Sequence, residues 1–389
     1  MDVERCHAVV DAELEALGDR LRAVASALHA DPETAFAEHR AADRLCAELA
    51  AGGFEVERGV AGMGTAFVGR AGRGGGPRVA LLLEYDALPG LGHACGHNLI
   101  AAAGLGAALA LRPVSADLPG TVLAVGTPAE EGGGGKVRQV AAGLFDGVDA
   151  ALMFHPGAQS WRWAPLTAQV ELRVTVHGRA AHPTGNPTEG LDALAALIQV
   201  FNSLGALRQR LPTGSHVQGI ITRGGEATNI VPALAEGRFG LRALTTEELA
   251  RLVDQVTDVV RGTGLATGTS VEVEPTRAPY AHFRDNSVLS GLFARHLADA
   301  GIALTEPTPG VFLGSSDIGN VSVVTPAIHP FVAIVDAGTS DHTPEFATAA
   351  GSAHGQDVML AAARALAHTA VDVLGRPEVT EEAWAEFRR

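Results

Sequence analysis

The sequence is short of basic residues, of cysteine and of aromatic side chains. Its 389 residues include 29 Lys and Arg against 44 Asp and Glu, which gives a formal net charge of −15. Because phosphate groups are bound by basic surfaces, this deficit argues against nucleic acid as a partner. Three cysteines are too few for a disulfide framework in a chain of this length, so we expect none.

Long apolar runs are also missing. The longest, residues 99–111, has 13 residues and ends at Arg112-Pro113, so it is too short to span a bilayer. The first five residues, MDVER, carry charges where a signal peptide would be apolar. We therefore expect a cytoplasmic protein with no membrane association.

What the sequence does contain is typical of α/β enzymes. Apolar residues make up 47% of the chain, glycine occurs 47 times, and aromatic residues account for only 5%. This composition favours an α/β fold packed with Ala, Val and Leu over a β-sandwich. A length of 389 residues predicts two domains rather than one.

Helical periodicity alternates with short apolar runs in the first 160 residues, which predicts a mostly parallel sheet with helices on its faces. Near residue 165 the pattern changes to a β-α-β-β-α-β order of the ferredoxin-like type. From about residue 285 the first pattern resumes. The predicted helices cover residues 2–30, 36–51, 97–111, 136–143, 188–209, 245–262 and 346–373, and the predicted strands lie near 54–58, 65–69, 78–84, 121–126, 149–154, 166–177, 216–223, 234–243, 269–274, 321–324 and 331–335.

This order predicts a catalytic α/β domain that is discontinuous in sequence. It would comprise residues 1–164 and 278–389, interrupted by a smaller ferredoxin-like α+β domain at residues 165–277.

Cys95 and His97 lie two residues apart in a Gly-rich loop that opens a predicted helix. Gly96 between them lets the backbone turn so that both side chains can face one point. Metal binding is one interpretation. A buried cysteine beside a helix-capping histidine is another, and a Cys95 nucleophile with His97 as its base is a third.

Glu130 and Glu131 are adjacent carboxylates that follow an apolar strand. Two such groups are costly to place together unless a positive charge lies between them. Neighbouring side chains of an extended segment point opposite ways, so one can bind a cation while the other faces the substrate. The alternative is a solvated acidic turn.

His155 and His342 also follow predicted strands. Since the carboxyl ends of strands in an open α/β sheet face the ligand crevice, we expect these histidines near Cys95 and Glu131. Cysteine, histidine and carboxylate are together the ligand set of Zn²⁺ and related ions.

Asp86 could orient a ligating histidine by accepting its second ring N–H, or it could be a simple turn former. The chain has 15 histidines, so chance placement is a serious alternative for each. Those within predicted helices, such as His7, His296 and His368, are expected to be surface or packing residues.

Together these segments resemble the zinc-dependent M20 metallopeptidase family. Within it the chain resembles the amidohydrolase branch with a Cys-Gly-His motif, which includes aminoacylase and the p-aminobenzoyl-glutamate hydrolase and β-alanyl-lysine dipeptidase-like group. The likeness extends along essentially the whole chain. It depends on residues 84–98 (EYDALPGLGHACGHN), 126–136 (GTPAEEGGGGK), 153–157 (MFHPG), 224–232 (GGEATNIVP) and 314–321 (GSSDIGNV).

The resemblance implies a metal-dependent enzyme that hydrolyses the amide bond of an N-acyl amino acid, an aminobenzoyl-glutamate-like conjugate or a dipeptide. It implies two divalent metal ions, most readily Zn²⁺ with Mn²⁺ as an alternative. It also implies a homodimer formed through the inserted domain, which acts as a lid.

Residue by residue, the resemblance implies that Cys95 bridges the two metals and that Glu130 is the general base. His182, Asn229 and Arg242 lie in the inserted domain. The resemblance implies that His182 reaches the partner's active site to stabilise the oxyanion, and that the other two contact the substrate. Asp317 falls in a family motif without an assigned role. The implied metal ligands are Cys95, His97, Glu131, His155 and His342.

Three other functions stay open from the sequence. The chain could be a non-catalytic protein that binds a metal or small molecule on the same scaffold. It could be a hydrolase that depends on Cys95 as nucleophile. It could also be a metal enzyme acting on another C–N bond, such as an amidine or carbamate.

Overall fold

A computed structural model describes residues 2–389. The chain divides into two compact units, the first formed by the chain up to Pro165 together with Phe283–Arg389, and the second by Leu166–His282. The first unit begins with α1 (Val3–Ala30), α2 (His39–Ala51), β1 (Glu55–Arg58), β2 (Phe67–Gly74), β3 (Arg78–Glu84), α3 (His97–Leu111), β4 (Gly120–Thr127), α4 (Gly135–Ala141), β5 (Ala150–Leu152) and β6 (His155–Gly157).

The second unit contains β7 (Ala168–His177), α5 (Ala193–Arg208), β8 (His216–Arg223), β9 (Leu234–Ala243), α6 (Thr246–Thr267) and β10 (Ser270–Pro275). The chain then returns to the first unit with α7 (Ser287–Asp299), α8 (Ile318–Ser322), β11 (Ala327–Ile328), β12 (Phe331–Ala333), α9 (Pro344–Ala350), α10 (Ala353–Gly375) and α11 (Pro377–Phe387).

The central sheet of the first unit has the strand order β1-β2-β4-β3-β5-β11. Pairs β4/β3, β3/β5 and β5/β11 are parallel, whereas β1/β2 and β2/β4 are antiparallel. Strand β3 is buried along Val79–Glu84, as expected for a strand that is covered on both faces. The predicted α/β fold with a mainly parallel sheet is confirmed.

Helix α3 is buried at every position, because it packs between β3 and the helices α1 and α10. Gly104 makes the close approach to the sheet possible. A Cβ atom at this position would lie 2.9 Å from the carbonyl oxygen of Leu82. The first residue of this fully enclosed helix is His97.

Helix α10 is long and apolar enough to cross a membrane by length and composition alone. However, 78% of its most apolar stretch is buried within the fold, as is usual for the core helix of a globular unit.

Two predictions near the C-terminus are wrong. The strand expected near 321–324 is the end of the short helix α8, and the strand that joins the sheet is β11, beside β5. A short apolar run is compatible with either a strand or a helix, and here the packing of these residues determined the helix. The helix expected over 346–373 is two helices, because the Ser352 side chain caps a new helix by accepting a hydrogen bond from the Gly355 backbone N–H.

The second unit has the strand order β10-β7-β9-β8, and all its pairs are antiparallel. With α5 and α6 this is the predicted ferredoxin-like arrangement. Inward residues of β7, among them Val174 and Val176, alternate with more exposed ones, since one sheet face packs on the two helices. Strand β8 forms an edge of this sheet.

Candidate metal centre

Six side chains from four separate segments of the first unit meet at the carboxyl end of its sheet. They form three overlapping groups, and within each group the ligand atoms lie within 4.8 Å of one another. The groups are Cys95 with His97 and His155, Cys95 with Glu131 and His342, and His97 with Glu130 and Glu131. We call these six residues the candidate metal centre. Cys95, His97 and Glu131 each belong to two of the groups, so the groups share side chains.

The backbone brings these segments together through one glycine. Gly96, between Cys95 and His97, has a left-handed φ of 78°. A Cβ atom there would lie 2.4 Å from Cγ of Pro156. Only glycine therefore allows the loop before α3 to pack against the segment that carries His155, whose Nε2 lies 3.7 Å from Sγ of Cys95.

The tautomers of two histidines are set by their hydrogen bonds. Nδ1 of His97 donates to the backbone oxygen of Asp86 at 2.9 Å and to its carboxylate at 3.1 Å. Nδ1 of His155 donates to the carbonyl oxygen of Pro156 at 2.7 Å. In the neutral form both rings therefore leave Nε2 unprotonated, which is the arrangement that metal ligands use.

Asp86 orients a second member of the centre as well. Its Oδ2 accepts a hydrogen bond of 3.0 Å from the backbone N–H of Glu131. One buried carboxylate thus fixes both the ring of His97 and the main chain that carries Glu131.

Two non-glycine residues at the candidate metal centre have left-handed backbone conformations. Ala129, next to Glu130, has φ of 60°, and His342 has φ of 57°. Such conformations cost a non-glycine residue about 1–2 kcal/mol and tend to occur at functional sites. The Ala129 turn is held by Glu38, whose carboxylate accepts the Ala129 N–H at 2.9 Å. Burial raises the pKa of Glu38 to about 7.

The donor set fits a divalent cation. Among residues 2–389, none forms a well-aligned hydrogen bond with the buried atoms Nε2 of His97 and Oε1 of Glu131. Their nearest ionic partners, Glu84 and His342, each lie 3.4 Å away. Burial, and then the carboxylate of Glu131, raise the pKa of the Cys95 thiol well above its usual value. A cation among these groups would satisfy the ring nitrogen and the carboxylate and would stabilise the thiolate.

The same burial argues against Cys95 as a nucleophile. A thiol with a raised pKa is protonated at neutral pH, and the thiolate is the reactive form.

Glu130 is buried close to other carboxylates. Burial, and then the carboxylates of Glu84 and Asp317, raise its pKa well above the usual value.

A buried ion-pair network supports the centre, and sequence reasoning missed it. Nζ of Lys136 lies 2.6 Å from Oδ1 of Asp317 and 2.5 Å from Oε1 of Glu84, and all three side chains are buried. Although burial opposes it, Asp317 and Glu84 raise the pKa of the ammonium group. The other carboxylate oxygen of Glu84 lies 3.4 Å from Nε2 of His97. Lys136 thus gives Asp317 a partner and keeps a buried carboxylate charged beside a candidate ligand.

The three remaining predicted site residues lie in the second unit. His182 is exposed, and its Nδ1 accepts backbone N–H groups of Gly185 at 3.0 Å and Thr184 at 3.3 Å. Its ring proton therefore sits on Nε2 in the neutral form, free to donate outward. Asn229 is exposed in the turn between β8 and β9. Arg242 lines a cavity of about 430 Å³ together with Arg277.

The profile of Peptidase family M20/M25/M40 matches residues 80–371, which contain the entire candidate metal centre. The chain belongs to this family. The family resemblance inferred from the motifs is confirmed, and the protein is a hydrolase of amide bonds.

Individual relatives agree with this assignment. The Xaa-Arg dipeptidase of Mus musculus is 37% identical over 96% of this chain and 90% of its own length. A p-aminobenzoyl-glutamate hydrolase chain of Escherichia coli K12 is 32% identical over 75% of this chain and 65% of its own length.

Solved structures share the fold. The aminobenzoyl-glutamate utilization protein of Klebsiella pneumoniae aligns with a TM-score of 0.74 and 21% identity, covering 93% of this chain and 98% of that protein. A Bacillus subtilis protein described as a dinuclear metal-binding peptidase of the M20 family aligns with a TM-score of 0.70 and 22% identity, covering 93% and 99%.

Proposed function

We propose that this protein is a metal-dependent dipeptidase that binds two divalent ions, most readily Zn²⁺, and cleaves dipeptides with a C-terminal arginine. The observation that carries the proposal is the convergence of a thiol, three imidazoles and two carboxylates within 4.8 Å in overlapping groups. The substrate class is supported by the Xaa-Arg dipeptidase of Mus musculus, which matches 96% of the chain. Mn²⁺ is the alternative metal.

The residues that would hold the ions are Cys95, His97, Glu131, His155 and His342. Bound divalent ions supply Lewis acidity, which lowers the pKa of water to near 7 and polarises the scissile carbonyl group. Glu130 is left as the carboxylate that accepts the proton of the attacking water. It then passes that proton to the nitrogen of the leaving amine, so that the amide C–N bond breaks and Glu130 is restored.

We propose that His182 stabilises the oxyanion that develops on the substrate in the active site of a second copy of the chain. Two backbone donors occupy its Nδ1, so its Nε2–H is available to donate. One such donor is typically worth about 3 kcal/mol in the transition state. The second unit serves in this proposal as lid and dimerisation domain, and Asn229 and Arg242 contact the substrate, with the guanidinium of Arg242 suited to its carboxylate.

The homodimer is supported by the open edge of the second unit. Ile220 and Ile221 on β8 are 63% and 44% exposed, and Ile198 on α5 is 46% exposed. An exposed apolar edge strand is a template for pairing with another chain. Light scattering of Ile220→Lys should show monomers, whereas Leu265→Lys, at an 86% exposed position on α6, should stay dimeric. Equal masses for the two variants would contradict this interface.

The cytoplasmic location also remains a proposal. Its support is that Cys6, Cys46 and Cys95 are all buried and that none of them is part of a disulfide, which suits a reducing compartment.

A screen of purified protein tests the function. The panel should contain Xaa-Arg dipeptides, dipeptides with neutral or acidic C-termini, N-acyl amino acids and p-aminobenzoyl-glutamate, with Zn²⁺ or Mn²⁺ added. We expect hydrolysis of Xaa-Arg dipeptides that a chelator abolishes and metal restores. If p-aminobenzoyl-glutamate is cleaved in preference to Xaa-Arg dipeptides, the proposed substrate class is wrong. If activity persists in the presence of a chelator, the proposed metal mechanism is wrong.

A further inference from the structure

The first unit holds a second group of imidazoles and carboxylates, on three helices that contribute nothing to the catalytic loops. We call it the helix cluster. It consists of His7 and Asp11 on α1, His296 on α7, and His368 and Asp372 on α10.

The spacing of these residues places them on single helix faces. His7 and Asp11 are four residues apart on α1, and His368 and Asp372 are four apart on α10. Residues at this spacing lie one above the other, which is how helices present two ligands to one ion. The side chain of Asp372 is fully buried, and those of the three histidines are only 10–13% exposed.

The polar atoms of the cluster converge on the Asp372 carboxylate. Its Oδ2 lies 2.7 Å from Nε2 of His296, and its Oδ1 lies 3.2 Å from Nε2 of His7. One ligand atom from each of these three residues lies within 4.8 Å of the others. His368 completes the group, since its ring stacks on that of His7 with centroids 4.4 Å apart.

Several of these buried atoms lack hydrogen bonds. Nε2 of His7, Nε2 of His368 and Oδ1 of Asp372 form none with any of the described residues. Nε2 of His368 does lie 3.0 Å from Oδ1 of Asp11, and Nη1 of Arg376 lies 3.4 Å from Oδ1 of Asp372. The charges are thus close but poorly aligned. Buried polar groups are normally satisfied, and a cation bound among them would satisfy the free lone pairs.

We propose that His7, His296 and Asp372 bind one divalent transition-metal ion, at a site separate from the catalytic one. Two imidazoles and a carboxylate form a common ligand set for Zn²⁺, and His368 or water can supply a fourth ligand. A surface cavity of about 730 Å³, lined also by Glu4, Arg295 and Arg376, gives the ion access from solvent. The ion joins the N-terminal helix to α7 and α10, so its role is structural.

Metal counting on the full-length protein tests the proposal. The variant Cys95→Ser/His97→Gln removes ligands of the candidate metal centre but leaves the helix cluster intact. After Zn²⁺ loading and desalting it should retain about one equivalent of metal, and Zn²⁺ should raise its Tm by about 3 °C or more. If this variant holds no metal and shows no rise in Tm, the proposal is wrong.

Variants of the helix cluster supply the second arm. In the wild-type background, His296→Gln should bind one equivalent less Zn²⁺ than the unaltered protein while keeping its peptidase activity. His354→Gln, at an exposed position on α10, is the matched control and should bind the full amount. Equal metal content and equal Zn²⁺-dependent Tm in His296→Gln and wild type would overturn the proposal. Because the readouts are metal content and Tm, the outcome is independent of whether the proposed peptidase substrate is correct.

Discussion

The candidate metal centre and the helix cluster contain the same kinds of side chain on opposite kinds of backbone. The first is assembled from loops at strand ends, with left-handed residues such as Ala129 and His342. The second is assembled from the regular helices α1, α7 and α10. Loops can direct two adjacent carboxylates in different directions, whereas helices repeat one direction every four residues. The comparison teaches that irregular backbone lets neighbouring side chains take different roles. Regular helices suit a simpler task, such as joining three helices through one metal ion.

The two clusters also differ in how their charge is supported. In the candidate metal centre, Lys136 neutralises two buried carboxylates. In the helix cluster, the imidazoles of His7 and His296 and the guanidinium of Arg376 face the buried carboxylate of Asp372 instead. Four variants would sharpen or break this comparison.

The largest effect is expected from Lys136→Met, which leaves Glu84 and Asp317 buried without their cation. Breaking a buried ion pair from one side typically costs about 3–5 kcal/mol. Urea unfolding should show this loss, and the double variant Lys136→Met/Asp317→Asn should recover part of it. If the single variant lost less than about 1 kcal/mol, the network would not be the support described above.

Glu130→Gln should reduce turnover by about a hundredfold or more, which corresponds to about 3 kcal/mol of transition-state stabilisation. Its metal content should stay unchanged, because Glu130 is proposed to carry protons and not to bind the ions. Steady-state kinetics and metal analysis on the same preparation check both statements. Near-normal turnover would refute the base assignment.

Asp372→Asn should lower the free energy of unfolding of the metal-free protein by about 2 kcal/mol, because the buried group that accepts a hydrogen bond from His296 and faces the guanidinium of Arg376 loses its charge. Asp357→Asn is the matched control on the same helix. Its side chain is 64% exposed and pairs with Arg22, so its loss should be within about 0.5 kcal/mol. Similar losses for both variants would show that the helix cluster contributes nothing special.

The smallest effect concerns pH. Burial, and then neighbouring His7, lower the pKa of His368 from 6.5 to about 4. Between these values the unfolded chain binds a proton that the folded chain does not, so stability falls as the pH drops through this window. Burial lowers the pKa of His7, but Asp372 outweighs burial and raises it. The titration of His7 therefore changes stability in the opposite direction to that of His368.

His368→Gln should therefore lose less stability than wild type between about pH 7 and pH 4.5, by of order 1 kcal/mol after solvent screening. Urea unfolding in the presence of chelator measures the difference, with His354→Gln as control. Parallel pH dependences of wild type and His368→Gln would contradict the environment described for this ring.

Much of the fold and part of the site were accessible from sequence, for physical reasons. Strand β3 and helix α3 are recognisable because their burial is complete and their apolar runs are unbroken. The segments around Cys95 and Glu130 carry unusual residue pairs, so their chemistry can be read locally. The structure brings them together, although their individual roles stay predictions.

The remainder depends on contacts between distant segments. Lys136 lies at the end of a family motif, yet its partner Asp317 is 181 residues away. From sequence, the histidines of the helix cluster were predicted only as surface or packing residues, because no single helix shows that three helices meet. Likewise the short run at 321–324 has no periodicity of its own, so packing and not propensity made it helical.

Helix α3 carries His97 as its first residue and has no exposed position along its length. Because every position of this helix is packed, a displacement at one position also shifts the ring of His97. A single added methyl group at Gly104, on the same helix as a candidate ligand, would therefore be expected to retune turnover as well as stability. Libraries that aim to change substrate preference should therefore leave this helix unaltered.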